Sequence, residues 1–287
     1  MTAHDTKLVK KNKSLRHNEY YATQPVFDKL YALSKDGCNF YNLMDIITSD
    51  NNILLAYRNI KRNKGSITKG TNNTTIDDIA KMSNEAFVKM VKNRFKCFYP
   101  HTVRRTEIPK EDGSGRTRPL GIPTIEDRIC QECIKQVLEP ICEAKFYEHS
   151  YGFRPNRSQE NAIARVMYLY VRGYHYVVDI DIKSFFDEVN HGKLLKQLWA
   201  LGIRDKKLIK IISLMLKAEI EGEGIPNKGV PQGGVNSPLF SNVVLNELDW
   251  WIANQWENFP TKHKYKRKND KYAAMRKTKL KDVWIVT

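Results

Sequence analysis

The sequence predicts an α+β protein in which helices surround a small antiparallel sheet. Three patterns predict it. Residues 174–182 alternate with period two: Tyr176, Val178, Ile180 and Ile182 fall on one face, and His175, Val177, Asp179 and Asp181 on the other, as in a half-buried strand. Residues 103–122 form two runs, Val103 to Pro109 and Arg116 to Ile122, joined by Lys-Glu-Asp-Gly-Ser-Gly, a hairpin pattern. Much of the remainder carries the spacing of amphipathic helices.

The chain has 287 residues, enough for about two domains. Its hydrophobic content of 41% argues against wholesale disorder. No run of about 18 apolar residues exists, so no membrane span is expected. The N-terminus shows no apolar signal core or transit pattern, which predicts a cytoplasmic protein of bacterial type. Five cysteines, sparse and odd in number, suit a reducing compartment. The formal charge of +16 points to a polyanionic partner, most simply nucleic acid.

Residues 1–18 form a basic arm with Lys7, Lys10, Lys11, Lys13 and Arg16, either a phosphate-binding arm or a solvated tail. Helices are predicted over about 23–36 and within 40–60, the latter after the caps of Ser49-Asp50-Asn51-Asn52. A polar basic loop follows at 61–75, then helices from Thr75 and Ser83. Asp77 and Asp78 fall in a first helical turn, where negative charge favours the helix dipole, and are not read as metal ligands. Residues 125–146 carry a stripe of Ile129, Cys133, Val137, Leu138 and Ile141, with Pro140 expected to kink or divide the helix. Cys130 and Cys133 are read as buried thiols rather than zinc ligands. Ser158 caps a helix to Val171. Helices follow at 193–199 and 205–216, a hairpin at 219–230, and a helix from Ser237-Pro238 to about Trp256. Residues 261–281 hold ten Lys/Arg and one acid, with Tyr265 and Tyr272 interleaved, a composition suited to phosphate contact and base stacking or to a solvated insertion.

Asp179 and Asp181 would lie about 7 Å apart on one face of a strand. Their repulsion calls for a cation or a basic ligand. Gly233-Gly234 permits close backbone approach to a ligand.

From about residue 40 onward the chain resembles the reverse transcriptase domain of group II intron-encoded proteins, the intron maturases. The resemblance rests on Arg118-Pro-Leu-Gly-Ile-Pro-Thr, Ser150-Tyr-Gly-Phe-Arg-Pro, Asp181-Ile-Lys-Ser-Phe-Phe-Asp187 and Gly229-Val-Pro-Gln-Gly-Gly, in that order. It implies a right-hand polymerase fold with a helical N-terminal extension (1–60), fingers (61–170) and a partial palm (171–287). The palm would hold an antiparallel sheet flanked by helices, with a basic insertion at 259–282. It implies DNA synthesis on an RNA template from a DNA primer, with dNTP substrates and two Mg²⁺ ions, and binding of the group II intron RNA to assist splicing and mobility.

Carried over residue by residue, the resemblance makes Asp181 catalytic and a metal ligand, with the Ile182 carbonyl as second ligand. Phe186, or Phe185 as alternate, would lie against the nucleotide sugar. Lys110 and Arg118 would meet the triphosphate, and Gln232 and Gly233 would line the nucleotide pocket. Lys10, Lys11, Lys13, Arg16, Lys264, Lys266, Arg267 and Lys268 are the expected RNA contacts. The family's Tyr/Phe-x-Asp-Asp motif is absent from residues 1–287. The expectation is of a piece of a longer protein, inactive alone, whose metal site is completed beyond Thr287. The missing thumb would leave apolar surface open to homodimer formation. Alternative readings are an RNA-binding splicing factor using the polymerase fold as scaffold, and a retron-type reverse transcriptase.

Overall fold

The computed structural model describes residues 15–109, 113, 115–256 and 263–277. The helices in chain order begin with α1 (His17–Tyr20), α2 (Gln24–Lys35), α3 (Leu43–Ile47), α4 (Asp50–Arg62), α5 (Ile76–Ile79) and α6 (Asn84–Lys96). Strands β1 (Arg104–Pro109) and β2 (Thr117–Ile122) follow, then α7 (Ile125–Glu143) and α8 (Gln159–Val171). The remainder is α9 (Phe185–Glu188), α10 (His191–Ala200), α11 (Lys206–Leu216), α12 (Ser237–Trp256) and α13 (Lys268–Lys277).

Helix starts follow side-chain chemistry. Ser83, Thr124, Ser158, Asn190 and Asp205 each accept a hydrogen bond from a backbone N–H of the first turn, as helix caps do. Thr75 and Asp78 form a reciprocal capping box. The pKa of Asp78 falls to about 2, through its bonds to Lys81 and Thr75. Ser49 precedes α4 without a side-chain cap bond.

α7 is the axis of the molecule. It packs against α2, α3, α4, α6 and α12. The sequence stripe predicts one apolar face. The structure instead buries α7 nearly all round, including Ile125, Ile129, Ile134, Leu138 and Ile141 at 0% exposure, which is how a helix behaves in the middle of a core. Cys130, Cys133 and Cys142 are free thiols inside the same core, and burial pushes their pKa values well up. Pro140 does not divide α7, because it sits in the last turn and its missing N–H forfeits a single ladder bond.

Several buried polar side chains pair across the core. Asn52 Nδ2 donates to the Ile47 and Cys133 carbonyls at 2.9 and 3.0 Å. Gln136 Nε2 donates to Asn52 Oδ1 at 2.9 Å, and Asn59 Nδ2 to Gln136 Oε1 at 2.9 Å. Arg128 is buried without a carboxylate and donates instead to the carbonyls of Gly65, Thr68 and Pro123. It thereby pins the start of the basic 61–75 loop onto α7.

β1 and β2 pair antiparallel with Arg104 opposite Ile122 and Pro109 opposite Thr117, as the hairpin pattern predicts. Two expectations are corrected. Residues 174–182 form no strand and pair with no strand among the described residues. Tyr176 is 98% exposed and Val178 82%. The alternating pattern is present, but a strand exists only where its N–H and C=O groups find a neighbour. Residues 219–230 form no hairpin. A single bridge joins Ile220 to Gly224, and Ile220 pairs in parallel with Val103 ahead of β1. The basic stretch carries helix α13 rather than loop alone. Among the described residues no helix is long and apolar enough to cross a membrane.

Candidate nucleotide-facing site

The turn at residues 229–234 is held from three sides. From β2, the Gly121 N–H donates to the Gln232 carbonyl at 2.7 Å. From α7, Gln131 Oε1 accepts from the Val235 N–H at 2.8 Å. From the 185–191 segment, the Phe186 and Val189 carbonyls accept from the Val230 and Gly229 N–H groups at 2.8 and 2.7 Å. Gln232 Nε2 also reaches Asp187 Oδ1 at 3.4 Å, and Lys228 pairs with Glu188 at 2.6 Å.

Two glycines make this closeness possible. Gly229 has φ +89°, and a Cβ there would lie 3.0 Å from the Asp187 carbonyl oxygen. Gly233 has φ +106°, and a Cβ would lie 2.5 Å from the Gly121 carbonyl oxygen. Both conformations favour glycine. His191 completes the join: it is 6% exposed, and its Nε2 lies 2.7 Å from the Gly229 carbonyl oxygen. That oxygen can only accept, so Nε2 carries the proton.

The fold therefore gathers Gln232, Gly233, Phe186 and the Pro119–Gly121 end of β2, with Arg118 exposed on β2 opposite Ile108. Phe185 and Phe186 are half-buried, their rings 5.9 Å apart and edge to face. Ser184 before them adopts the left-handed conformation at φ 51°, a strained turn for a non-glycine residue. Asp181 and Ile182 lie just upstream on an exposed segment. Asp181 makes no hydrogen bond or ion pair with another described residue.

The residues present do not by themselves make up the expected two-metal site. Among the described residues no three His, Cys, Asp or Glu side chains come together as a metal site. One carboxylate and one carbonyl fall short of the ligands that two bridging divalent ions need.

The expected RNA contacts divide. Lys10, Lys11 and Lys13 lie outside the described residues, as does Lys110 at the hairpin tip. Arg16 is exposed and pairs with Glu19 at 3.1 Å. Lys264, Lys266 and Arg267 are exposed, beside a His263–Tyr265 ring pair 4.7 Å apart, and Lys268 opens α13.

Reading the sequence missed several supporting residues. Arg154, within Ser150-Tyr-Gly-Phe-Arg-Pro, is 6% exposed. It grips Glu143 with two bonds of 2.9 Å and donates to the Tyr147 and Ser150 carbonyls, tying this turn to the end of α7. Asp127, 3% exposed, binds Arg94 and accepts from the His101 N–H at 2.7 Å. Burial works against the Asp127 carboxylate, but the bonds from His101 and the charge of Arg94 outweigh it and lower its pKa. Polar residues at buried positions of α7, such as Asp127, do not stand out in a sequence where about half the helix is polar or charged.

The family described as reverse transcriptase (RNA-dependent DNA polymerase) matches residues 108–271. The chain is 37% identical over 201 residues to the group II intron-encoded protein LtrA of Lactococcus lactis subsp. cremoris, covering 69% of this chain and 33% of that protein. It is 32% identical over 260 residues to the putative COX1/OXI3 intron 1 protein of Saccharomyces cerevisiae, covering 87% and 30%. It is 33% identical over 237 residues to protein YkfC of Escherichia coli, covering 79% and 61%. The chain thus spans about a third of the length of the first two relatives. With its α+β fold and the four motifs in order, the chain belongs to the reverse transcriptase (RNA-dependent DNA polymerase) family, and its likeness is to the group II intron-encoded members.

Proposed function

We propose that this chain forms the fingers and first part of the palm of a group II intron-encoded RNA-directed DNA polymerase. In this reading it also binds the intron RNA and assists splicing and mobility. The observation that carries the reading is the convergence of the 229–234 turn, the end of β2 and the Phe185–Phe186 step, three motif segments far apart in sequence. The proposed boundaries are a helical extension over 1–60, fingers over 61–170 and palm from 171.

In this reading the chain's own residues position the nucleotide. Gln232 and Gly233 present backbone to it, and Phe186 or Phe185 lies beside the sugar. Arg118, with Lys110, offers cations to the phosphates. Asp181 takes the place of the family's first catalytic aspartate in its motif. The family generally works with Mg²⁺ and deoxynucleoside triphosphates, and no catalytic step follows from the ligands present here. The test is RNA-templated DNA synthesis by the natural gene product that carries these residues. Asp181→Ala is expected to abolish it, and Phe186→Ala to relax discrimination against ribonucleotides. Unchanged synthesis by Asp181→Ala would sink the reading and favour a splicing scaffold.

A further inference from the structure

The nucleotide-facing residues sit on two segments, Phe185 and Phe186 on one, Gln232 and Gly233 on the other, and their relative position rests on what joins the two. At the surface, Lys228 pairs with Glu188 at 2.6 Å, and Gln232 Nε2 reaches Asp187 Oδ1 at 3.4 Å. Exposed contacts of this kind hold little. The buried join runs through the peptide between Gly229 and Val230. Its N–H donates to the Phe186 carbonyl at 2.8 Å. Its carbonyl oxygen lies 2.7 Å from His191 Nε2, which donates to it. Among the described residues no backbone N–H donates to that oxygen. A peptide unit is rigid and planar, so the imidazole that holds its C=O also sets the direction of its N–H. His191 thereby acts on Phe186 through one peptide.

The ring stands on a firm base. His191 is the first residue of α10, whose cap Asn190 accepts from the Lys193 N–H at 2.8 Å, and α10 is anchored by Leu194 and Leu198 at 0% exposure. The second ring nitrogen, Nδ1, is buried and has no hydrogen-bond partner among the described residues. A buried acceptor left unpaired is a cost to the fold. An apolar ring of the same shape would avoid that cost, and what it could not supply is the donor to Gly229. The far end of the turn is held independently: Ser237 Oγ donates to the Pro231 carbonyl at 2.7 Å, and Gln131 Oε1 accepts from the Val235 N–H at 2.8 Å. Losing the histidine bond would therefore shift the 229–230 end against Phe186 without releasing the whole turn.

We propose that His191 is a positioning residue for nucleotide selection. Through Gly229 it sets the Phe186 ring against the Gln232–Gly233 backbone, and so sharpens the choice of deoxyribonucleotides over ribonucleotides, while itself touching no substrate. This deepens the polymerase reading above and rests on it. A misplacement of about 1 Å can cost such a site about a hundredfold.

The experiment follows extension of a DNA primer on an RNA template by the natural gene product that carries these residues, with deoxynucleotides and with ribonucleotides. In His191→Phe, which keeps a ring and loses the donor, the ratio of kcat/KM for deoxynucleotide over ribonucleotide is expected to fall about tenfold, mainly through a raised KM for the deoxynucleotide. His191→Gln, whose Nε2 can donate to Gly229, is expected to restore most of that ratio. Ile53→Ala, at a fully buried position of α4, is expected to lower the denaturation midpoint and leave the ratio as in wild type. In the 287-residue chain the Val230 amide should exchange with deuterium about tenfold faster in His191→Phe, with α7 unchanged. If the phenylalanine variant does not fold, His191→Leu carries the same expectations. A wild-type ratio in the donorless variant, with Asp181-dependent synthesis intact, would overturn this role and leave the polymerase reading standing. Equal losses in His191→Gln and His191→Phe would make the ring a packing element and overturn the role as well. Absence of Asp181-dependent synthesis by the wild-type product would sink the polymerase reading and this assignment with it.

Discussion

A Cβ added to Gly233 would meet the Gly121 carbonyl 2.5 Å away, at a backbone conformation that L side chains rarely adopt. Gly233→Ala is therefore expected to destabilise the 229–234 turn by about 2 kcal/mol or more, read as a lowered denaturation midpoint. Arg154 is a second sensitive position. Its side chain is 2% exposed and that of Glu143 is 13% exposed. Arg154→Met would strand a mostly buried carboxylate and should cost about 3 kcal/mol, measurable by urea titration. Asp127 sets an acid limit. Its folded pKa is depressed, so its contribution is complete above the ordinary carboxylate pKa of about 4 and fades as pH falls through the lower folded value. Asp127→Asn should lose stability at pH 7 and show a flatter decline between neutral pH and acid. A parallel decline in both proteins would count against this role.

At the scale of elements, α7 and the 174–182 segment are opposites. α7 is enclosed by five other helices. Ile134→Ala, at a fully buried position, is expected to cost about 3 kcal/mol through reduced burial and the cavity left behind. Residues 175–182 carry an equally clear apolar pattern but no pairing among the described residues. Their amides are expected to exchange with deuterium at near-intrinsic rates in the 287-residue chain, while those of α7 are protected. Protection of 175–182 would mean that the segment is paired in solution. Among the described residues, Asp181 belongs to no group of three or more possible metal ligands.

For the whole molecule, the charge of +16 and the incomplete ligand set lead to separate expectations. Primer extension by the 287-residue chain alone should stay at background, because one carboxylate cannot assemble a two-metal site. Robust, Asp181-dependent synthesis by this chain would refute that. Replacing Lys264, Lys266, Arg267 and Lys268 by Glu should weaken RNA binding and flatten its salt dependence, by about 0.7 in slope for each phosphate no longer neutralised. If neither changes, the stretch is a solvated insertion.

Apolar spacing and cap residues such as Ser83 and Ser158 specify the helices, and the turn between its two runs specifies the β1–β2 hairpin. These are local properties, written within a few residues of the chain and legible there. The four motifs, in the order that marks the family, are legible in the same way. The all-round burial of α7 is not, because the stripe of a helix shows one preferred face and not how many neighbours arrive. Nor are the roles of Gln131, Arg154 and His191 as partners of distant backbone groups, since a buried polar side chain's partner lies wherever the chain returns. The alternating residues at 174–182 show the same divide from the other side: alternation is local, but a strand is made by the neighbour it pairs with.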